Sequence, residues 1–285
     1  MEGSAYAGSA NEPSITVGLL PRLSYPTSGP VSANSPCAVY WLFPKPEIEG
    51  FTMSPVKNPP IANKLLAALP KKEYQALQSQ LEEIPLVFEE ILYKPEVLIS
   101  DVYFPNSGYI SLLAGLNEHA TLEVGLVGRE GILGLAVFMG VSASQNRAVV
   151  QGTGSAMKMK ATAFRRECNN GGALPRLLRR YTHSLLTQIT QTAVCNQFHS
   201  IEARLARWLL MTHDRMEHDE FQLTQEFLSN MLAVRRECVN KAAGKLQKQK
   251  LISYSRGHLK VLDRAGLEAT SCGCYGTIND ESRRS

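Results

Sequence analysis

The chain has 285 residues, of which 44% are hydrophobic and 20% are charged, so it is long enough and apolar enough to bury the cores of two domains. The apolar run at 131–141 falls short of the roughly 20 residues that a membrane-spanning helix needs. No signal-peptide pattern is present, and the six cysteines are scattered without a CxxC pair. These features predict a cytoplasmic protein with reduced thiols, no membrane partner, no metal site and no cofactor.

Positive charge is concentrated near the C-terminal end of the chain. The formal net charge is only +4, and residues 58–170 hold 10 Lys/Arg against 11 Asp/Glu. Residues 231–262, in contrast, hold 8 Lys/Arg and a single acid, Glu237. A local basic block of this kind indicates an anionic partner, with nucleic acid first among the candidates.

The N-terminal residues 1–57 predict an extension of low order, because they contain eight of the fifteen prolines and no hydrophobic periodicity. Met53 lies just before the structured part, so residues 1–52 are either a true extension or the result of an over-long start assignment. Only the stretch CAVYWLF at 37–43 is apolar enough to fold back. A short helix is predicted to follow at about 61–82.

The next hundred residues predict short strands separated by turns. The stretch VYFPNSGYISLL is broken by the turn residues 105–108, and TLEVGLVG places Leu122, Val124 and Leu126 on one face. In SAMKMKA, Met157 and Met159 alternate with lysines. Short alternating strands with Gly/Pro turns are typical of an antiparallel barrel or roll.

From Leu174 the hydrophobic period changes from two to alternating steps of four and three. This spacing predicts a long helix with the seam of a two-stranded coil. The alternative is a helix that lies on the barrel of its own chain. The residues of this stripe are Leu174, Leu178, Tyr181, Leu185, Gln188, Thr192 and Cys195.

Three further helices and a hairpin are predicted after residue 198. A helix at about 199–215 packs through Ile201, Leu205, Trp208 and Leu209, and a short strand then precedes a helix with Thr224 as its N-cap. That helix ends near Met231, and an amphipathic helix follows over 235–249. The close spacing of these two helices is that of a helix-turn-helix.

The helix over 235–249 is predicted to dock through Val239, Ala242, Ala243 and Leu246, which lie at i, i+3, i+4 and i+7. Its first turns carry arginine and glutamate, which can read guanine and cytosine in the major groove. Two alternating runs flanking Arg256-Gly257 predict a hairpin, which would form a basic wing. The predicted DNA contacts are Thr224, Gln225, Arg235, Arg236, Glu237, Asn240, Lys241, Arg256, His258 and Lys260.

In this order the parts resemble the Crp–Fnr family of bacterial transcription regulators, the relatives of the cyclic-AMP receptor protein. The resemblance covers about residues 60–270 and rests on VYFPNSGYISLL, EVGLVGREGILG, RLARWLL, LTQEFLSNMLAVRRECVNKAAGKLQKQKLI and GHLKVLDRAGLE. It implies an α+β fold: an N-terminal antiparallel β-roll (cyclic-nucleotide-binding-like, cupin-like), a long dimerisation helix and a C-terminal winged helix-turn-helix. The implied divisions are an extension (1–57), an effector domain (58–170), a dimerisation helix (171–198), a DNA-binding domain (199–270) and a tail (271–285).

The resemblance implies a non-enzymatic homodimer that binds an inverted-repeat operator on double-stranded DNA. RNA polymerase and an unidentified small effector are the other implied partners. In the family's recognition helix an Arg-Glu pair is followed by Arg four residues after the Glu. Arg236 and Glu237 match this pattern, Lys241 replaces the last Arg, and Ala233 stands at the usual turn glycine.

The segment that binds cyclic nucleotides in the family departs from the pattern here. Leu133 precedes Gly134 where an acid is expected, and Arg147 is followed by Ala148 instead of Ser. Control by a cyclic nucleotide is therefore not expected, and no effector-binding residue is assigned. Glu130 is expected to shape a turn or to pair with Arg129.

Other sensing chemistries and an enzymatic function are weakly supported. Only Cys37 precedes residue 168, which does not support an N-terminal iron–sulfur cluster, and His119 is the only histidine in 58–170. No catalytic residue is assigned. The alternatives are a small-molecule-binding or metal-dependent β-barrel enzyme with an accessory winged helix, and an architectural dimer without an effector.

Cys238 follows Glu237 in the first turns of the recognition helix. A helix N-terminus and nearby arginines favour the thiolate, which suggests a redox-sensitive site. The alternative is a small packing residue at the edge of the buried face.

Overall fold

The computed structural model describes residues 61–115, 121–216 and 218–284. The expectations for residues 1–57, including CAVYWLF and Met53, and for His119 lie outside the described residues.

The helix predicted over 61–82 is two helices, α1 (Lys64–Ala67) and α2 (Lys71–Gln78), which meet at Pro70. Pro70 has no N–H to donate within a helix, so it stands as the N-cap residue of α2. The buried Asn63 caps α1, and its amide also donates to the carbonyls of Pro105 and Gly131 at 2.8 and 2.9 Å. One side chain therefore fixes α1 against two loops of the sheet region.

Two open antiparallel sheets form the β-roll, as the strand pattern predicts, and neither closes into a barrel within the described residues. The strands are β1 (Glu82–Leu86), β2 (Ile91–Tyr93), β3 (Asp101–Pro105), β4 (Tyr109–Gly115), β5 (Thr121–Val127), β6 (Arg147–Gly152) and β7 (Gly154–Lys160). The first sheet has the strand order β1-β7-β3 and the second β2-β6-β4-β5.

The predicted turn at 105–108 carries the chain from one sheet to the other. Gly108 has φ +72°, and a Cβ there would lie 2.3 Å from the carbonyl oxygen of Gly152. Both the backbone conformation and the close approach require glycine at this position.

The strand β5 is covered on both faces. A register shift against β4 between Leu112 and Leu113 interrupts the alternation. Val124 packs against the core that includes Leu178, whereas Leu126 belongs to the core around Leu205, so the predicted single face of Leu122, Val124 and Leu126 is wrong. Glu123 is only 6% exposed. Gly125 faces α5 (Ala173–Phe198), because a Cβ there would lie 3.3 Å from side-chain atoms of Leu185 and Gln188, while Glu123 lies under α6 (Ile201–His213). Strand alternation identifies two faces, but it does not reveal that a second layer covers the polar one.

The stripe predicted as a dimer seam on α5 is buried within the chain itself. Leu174, Leu178, Tyr181 and Gln188 are at most 5% exposed. Gln188 is hydrogen bonded to the backbone N–H and C=O of Leu126 at 2.5 and 3.2 Å. The alternative of a helix lying on its own roll therefore describes this stripe. The remaining helices of this part are α3 (Leu135–Phe138) and α4 (Ala161–Asn169).

The C-terminal part contains three strands in the order β8-β10-β9 and helices around a second core. Leu205, Trp208 and Leu209 of α6 lie in that core as predicted. The stretch assigned to a tail is helical, with Cys274, Tyr275 and Ile278 buried. The elements after α6 are β8 (Glu220–Gln222), α7 (Gln225–Leu232), α8 (Arg236–Lys248), β9 (Ile252–Ser255), β10 (His258–Val261), α9 (Arg264–Thr270) and α10 (Cys274–Arg284).

In the part of the chain that the structure describes, no helix combines the length and the apolar character needed to cross a bilayer.

Candidate nucleic-acid interface

A tight turn joins α7 to α8. Ala233 ends α7 in the left-handed conformation with φ +48°, and the N–H of Val234 donates to the carbonyl of Ser229 at 3.0 Å. An L-residue with a Cβ pays about 1–2 kcal/mol for this conformation, which glycine adopts freely. The surrounding core therefore holds Ala233 in the geometry of the usual turn glycine.

The two faces of α8 differ as the helical wheel predicts. Val239, Ala242, Ala243 and Leu246 are at most 2% exposed and fix the helix on the domain. The predicted base readers Arg236, Glu237 and Lys241 are exposed, and so are the other predicted DNA contacts of this region, Arg235 and Asn240.

The cations at the N-terminal end of α8 are available to a ligand. Among the described residues, no carboxylate lies within ion-pair distance of Arg235, Arg236 or Lys241. By contrast, Lys245 further along the helix is paired with Glu202. Positive charge at a helix N-terminus opposes the macrodipole, so an approaching anion would relieve an unfavourable arrangement.

The start of α7 is capped by Thr224 and joined to α8 by one hydrogen bond. The hydroxyl of Thr224 accepts a hydrogen bond from the N–H of Phe227 at 3.1 Å and is the N-cap. The amide of Gln225 donates to Oδ1 of Asn240 at 2.5 Å. Because Thr224 stays exposed, its hydroxyl hydrogen is free to point outward. The bond between Gln225 and Asn240 therefore joins the two helices, whereas the bond of Thr224 lies within α7.

The predicted wing is the hairpin of β9 and β10. Arg256 and Gly257 have φ +50° and +81°, which fits the two-residue turn with positive φ at both positions. The N–H of Leu223 donates to the carbonyl of Gly257 at 2.7 Å, and Tyr254 donates to the carbonyl of Leu223 at 2.8 Å. The wing is thus bonded to the segment that precedes α7.

Along the wing, Arg256 and His258 are exposed, whereas Lys260 is paired with Glu220 of β8 at 2.8 Å. The hydrogen bond and charge of Lys260 lower the pKa of Glu220, and Glu220 in turn raises the pKa of Lys260. Lys260 is therefore the most neutralised of the three predicted wing contacts.

Two carboxyl groups, the buried Glu123 and the half-buried Glu130, connect the β-roll to α6 and to the residues that follow it. Glu123 accepts hydrogen bonds from Ser111 at 2.6 Å and from Nε1 of Trp208 at 2.7 Å. Desolvation outweighs these bonds and raises the pKa of Glu123 to about 7. The expected pairing of Glu130 with Arg129 is wrong, because Glu130 binds Arg215 at 2.6 and 2.9 Å.

Sequence reasoning missed these connecting residues. Its expectation that Glu130 shapes a turn is confirmed, since its carboxylate accepts from the N–H of Gly128 at 3.1 Å. The partner Arg215 lies 85 residues away, so local spacing carries no signal for the pair.

Together these elements define a class of protein: a β-roll joined by a long helix to a winged helix-turn-helix. Residues 203–270 match the Crp-like helix-turn-helix domain. No curated protein sequence matches the chain closely enough to count as a relative.

Several solved structures, regulators among them, share this fold. FixK2 from Bradyrhizobium japonicum is 15% identical with a TM-score of 0.57, and the match covers 67% of this chain and 98% of FixK2. A regulator of the crp/fnr family from Eubacterium rectale is 14% identical with a TM-score of 0.56, covering 71% of this chain and 94% of that one. The c-di-GMP-responsive regulator CLP from Xanthomonas campestris is 14% identical with a TM-score of 0.53, covering 67% and 99%.

The resemblance to the Crp–Fnr regulators is thereby confirmed. The chain has the fold of these transcription regulators and carries their type of helix-turn-helix domain.

Proposed function

We propose that the chain is a DNA-binding transcription regulator that binds an inverted-repeat operator as a homodimer. The observation that carries this proposal is the exposed and unpaired group of cations at the N-terminal end of α8, with the basic wing beside it. In a helix-turn-helix this end of the second helix enters the major groove.

Base reading falls to the first turns of α8. Arg236 and Lys241 can donate to O6 and N7 of guanine, and Glu237 can accept from N4 of cytosine. Lys241 lacks the planar fork of arginine, so its contact is less restrictive than that of the family's arginine. Arg235 and Asn240 flank these residues and complete the reading surface.

Phosphate contacts fall to the rim of this surface. Thr224 and Gln225 lie at the start of α7, where backbone N–H groups and the helix dipole favour an anion. Arg256 and His258 extend the surface along the wing, and Lys260 contributes less because Glu220 already pairs with it. Such contacts position the protein without reading the sequence.

Dimerisation through α5 would use the exposed side of the helix. Leu186, Val194 and Phe198 are 56%, 39% and 76% exposed there. With Thr190 they follow at steps of four, so they lie within about 120° of the helix circumference. In this proposal the exposed stripe takes the place of the predicted seam, because the residues of that seam are buried in the core of the chain itself.

We infer that the β-roll controls DNA affinity through a signal other than a cyclic nucleotide. A cavity of about 220 Å³ lies between the roll and α5. The cavity is lined mainly by apolar side chains, which include Leu112, Leu133, Leu135, Leu185, Leu186 and Ile189. Among the described residues, no acidic side chain and no arginine lines it. A charged cyclic phosphate has no counter-ion in such a cavity, whereas a small apolar ligand does not need one.

We also infer that the chain is not an enzyme. The competing metal-dependent β-barrel enzyme needs about three His or carboxylate ligands around one pocket of the barrel. The one group of three or more possible ligands in the described ranges lies at the end of α5, outside the two sheets of the roll.

An architectural dimer would differ from a regulator by constant operator affinity across metabolite, redox and ligand panels.

The experiment selects DNA fragments with the purified full chain and measures affinity for the recovered site over a range of salt concentrations. The expected site is an inverted repeat with half-sites about one helical turn apart. Failure to recover a preferred sequence, while the protein is folded, would contradict the proposal.

A further inference from the structure

Three cysteines and one histidine converge where the long helix ends. The ligand atoms of Cys195, His199, Cys272 and Cys274 all lie within 4.8 Å of one another. The sulfurs of Cys195 and Cys272 are 3.4 Å apart, and the sulfur of Cys274 is 3.6 Å from Nδ1 of His199. Cys195 and Cys274 are buried, and the other two are half-buried.

Two separate parts of the chain supply these four side chains. Cys195 lies in the last turn of α5, and His199 is the extended residue that follows the helix, with its N–H donating to the carbonyl of Cys195 at 3.2 Å. Cys272 and Cys274 flank Gly273, and Cys274 is the first residue of α10. The packing of α10 on α5 and α6 brings the second pair to the first.

We propose that Cys195, His199, Cys272 and Cys274 form a mononuclear metal site for Zn²⁺ or a similar borderline-soft divalent cation. Three thiolates and one imidazole are a common tetrahedral ligand set for structural zinc. Bond lengths of about 2.3 Å to sulfur and about 2.0 Å to nitrogen give tetrahedron edges of roughly 3.5–3.8 Å.

The observed spacing fits one metal ion better than the alternatives. The 3.4 and 3.6 Å separations lie close to the expected edges. A disulfide would bring two sulfurs to about 2.05 Å. An iron–sulfur cluster places several ions and bridging sulfides between its thiolates, and so needs ligands spread more widely than the 4.8 Å limit seen here.

The charge around the cluster gives independent support. One divalent ion with three thiolates and a neutral imidazole has a net charge of −1. Arg204 and Arg207 of α6 are 6% and 3% exposed, and their Nε atoms have no hydrogen-bond partner in the described structure. Among the described residues, no carboxylate lies within ion-pair distance of either guanidinium group. Arg207 donates to the hydroxyl of Thr192 at 3.4 Å, one turn before Cys195 on α5, which places this buried cation near the cluster. An anionic centre there would add to the partial compensation that Glu123 gives to Arg207.

The position of the site suggests what a bound ion does. His199 follows the last residue of α5, and the hydroxyl of Ser200 caps α6 by accepting from the N–H of Ala203 at 3.3 Å. A metal would therefore join α10 to the connection between the long helix and the DNA-binding helices. We expect it to hold that domain in one orientation relative to α5.

The test titrates the reduced, metal-free full chain with Zn²⁺ and, separately, with Co²⁺. The expected result is one ion per chain, the visible bands of tetrahedral cobalt with thiolate ligands, and a higher melting temperature with zinc. The double variant Cys272→Ser/Cys274→Ser should bind zinc at least about 100-fold more weakly, because only two of the four ligands remain. The matched control Cys168→Ser removes a cysteine outside the cluster and should bind as the wild type does.

Three results would overturn the proposal. They are the absence of stoichiometric binding by the reduced full chain, equal affinity in the double variant, and a purified protein that contains iron with acid-labile sulfide. The cobalt spectrum of the wild type decides the matter even if the variant does not fold. Metal stoichiometry requires no DNA, so its outcome is separate from that of the operator experiment.

Discussion

Replacing Glu123 by Gln should make the protein more stable at neutral and alkaline pH. Glu123 is a residue of β5 that is 6% exposed under α6, and its carboxyl group is hydrogen bonded to Ser111 and Trp208. Burial raises its pKa from 4.5 to about 7. The folded protein therefore holds this proton more tightly than the unfolded chain does.

The sign of the pH dependence follows from this difference. The contribution of the protonated group is fully present below about pH 4.5 and is lost as the pH rises through about 7. At 1.36 kcal/mol per pH unit, the loss amounts to about 3 kcal/mol, most of it between about pH 5 and about pH 8. Glutamine retains the volume and can accept from Trp208, but it carries no charge to bury.

The assay is urea unfolding followed by far-ultraviolet circular dichroism at about pH 5 and about pH 8. Glu123→Gln should gain about 2–3 kcal/mol over the wild type at the higher pH and little at the lower. The histidines titrate in both proteins, so their effect cancels in the difference between the two unfolding free energies. Glu90→Gln, at an exposed position, serves as the control and should follow the wild type. Equal pH dependence in wild type and Glu123→Gln would refute the reasoning.

The remaining predictions concern DNA, the dimer and the redox hypothesis. Glu237→Ala should relax the sequence preference by about 1–3 kcal/mol at one base pair in a competition-binding assay. An unchanged preference would show that α8 is not the recognition helix. Arg256→Ala should weaken binding to all DNA sequences alike, and it should reduce the slope of log affinity against log salt concentration by about one. Leu186→Glu should give a folded monomer by light scattering, whereas Leu178→Glu should unfold the chain because Leu178 is 0% exposed; a dimeric Leu186→Glu would move the interface elsewhere. Peroxide should reduce operator affinity in the wild type but not in Cys238→Ser, and equal loss in both would remove Cys238 as a switch.

The helix-turn-helix and wing could be predicted from the sequence because their signals are local. The spacing of Val239 and Leu246 defines the buried face of α8, and Thr224 marks the start of α7. Arg256-Gly257 similarly marks the hairpin turn. Each of these features depends on residues within a few positions of one another, which periodicity and turn chemistry describe well.

What covers a given face could not be predicted in the same way. The stripe of Leu178 and Gln188 is real, but its partner is the chain's own sheet. Periodicity shows that one side of a helix is buried without identifying the surface that buries it. The cysteine cluster was missed for a related reason: C-x₃-H at 195–199 and C-x-C at 272–274 are weak motifs alone, and only the fold joins them.

The helix α5 gives the roll a physical route to the DNA-binding helices. Leu186 lines the apolar cavity, Gln188 two residues later holds the backbone of Leu126, and Cys195 further along belongs to the cluster that contacts α10. A ligand in the cavity changes DNA affinity only if it binds two arrangements of this helix with different free energies. A difference of about 1.4 kcal/mol is enough for a tenfold change in affinity, which is comparable to one or two hydrogen bonds such as those of Gln188. A metal at Cys195 would oppose such a rearrangement at the far end of the same helix, so loss of the metal should increase the response of operator affinity to a ligand in the cavity.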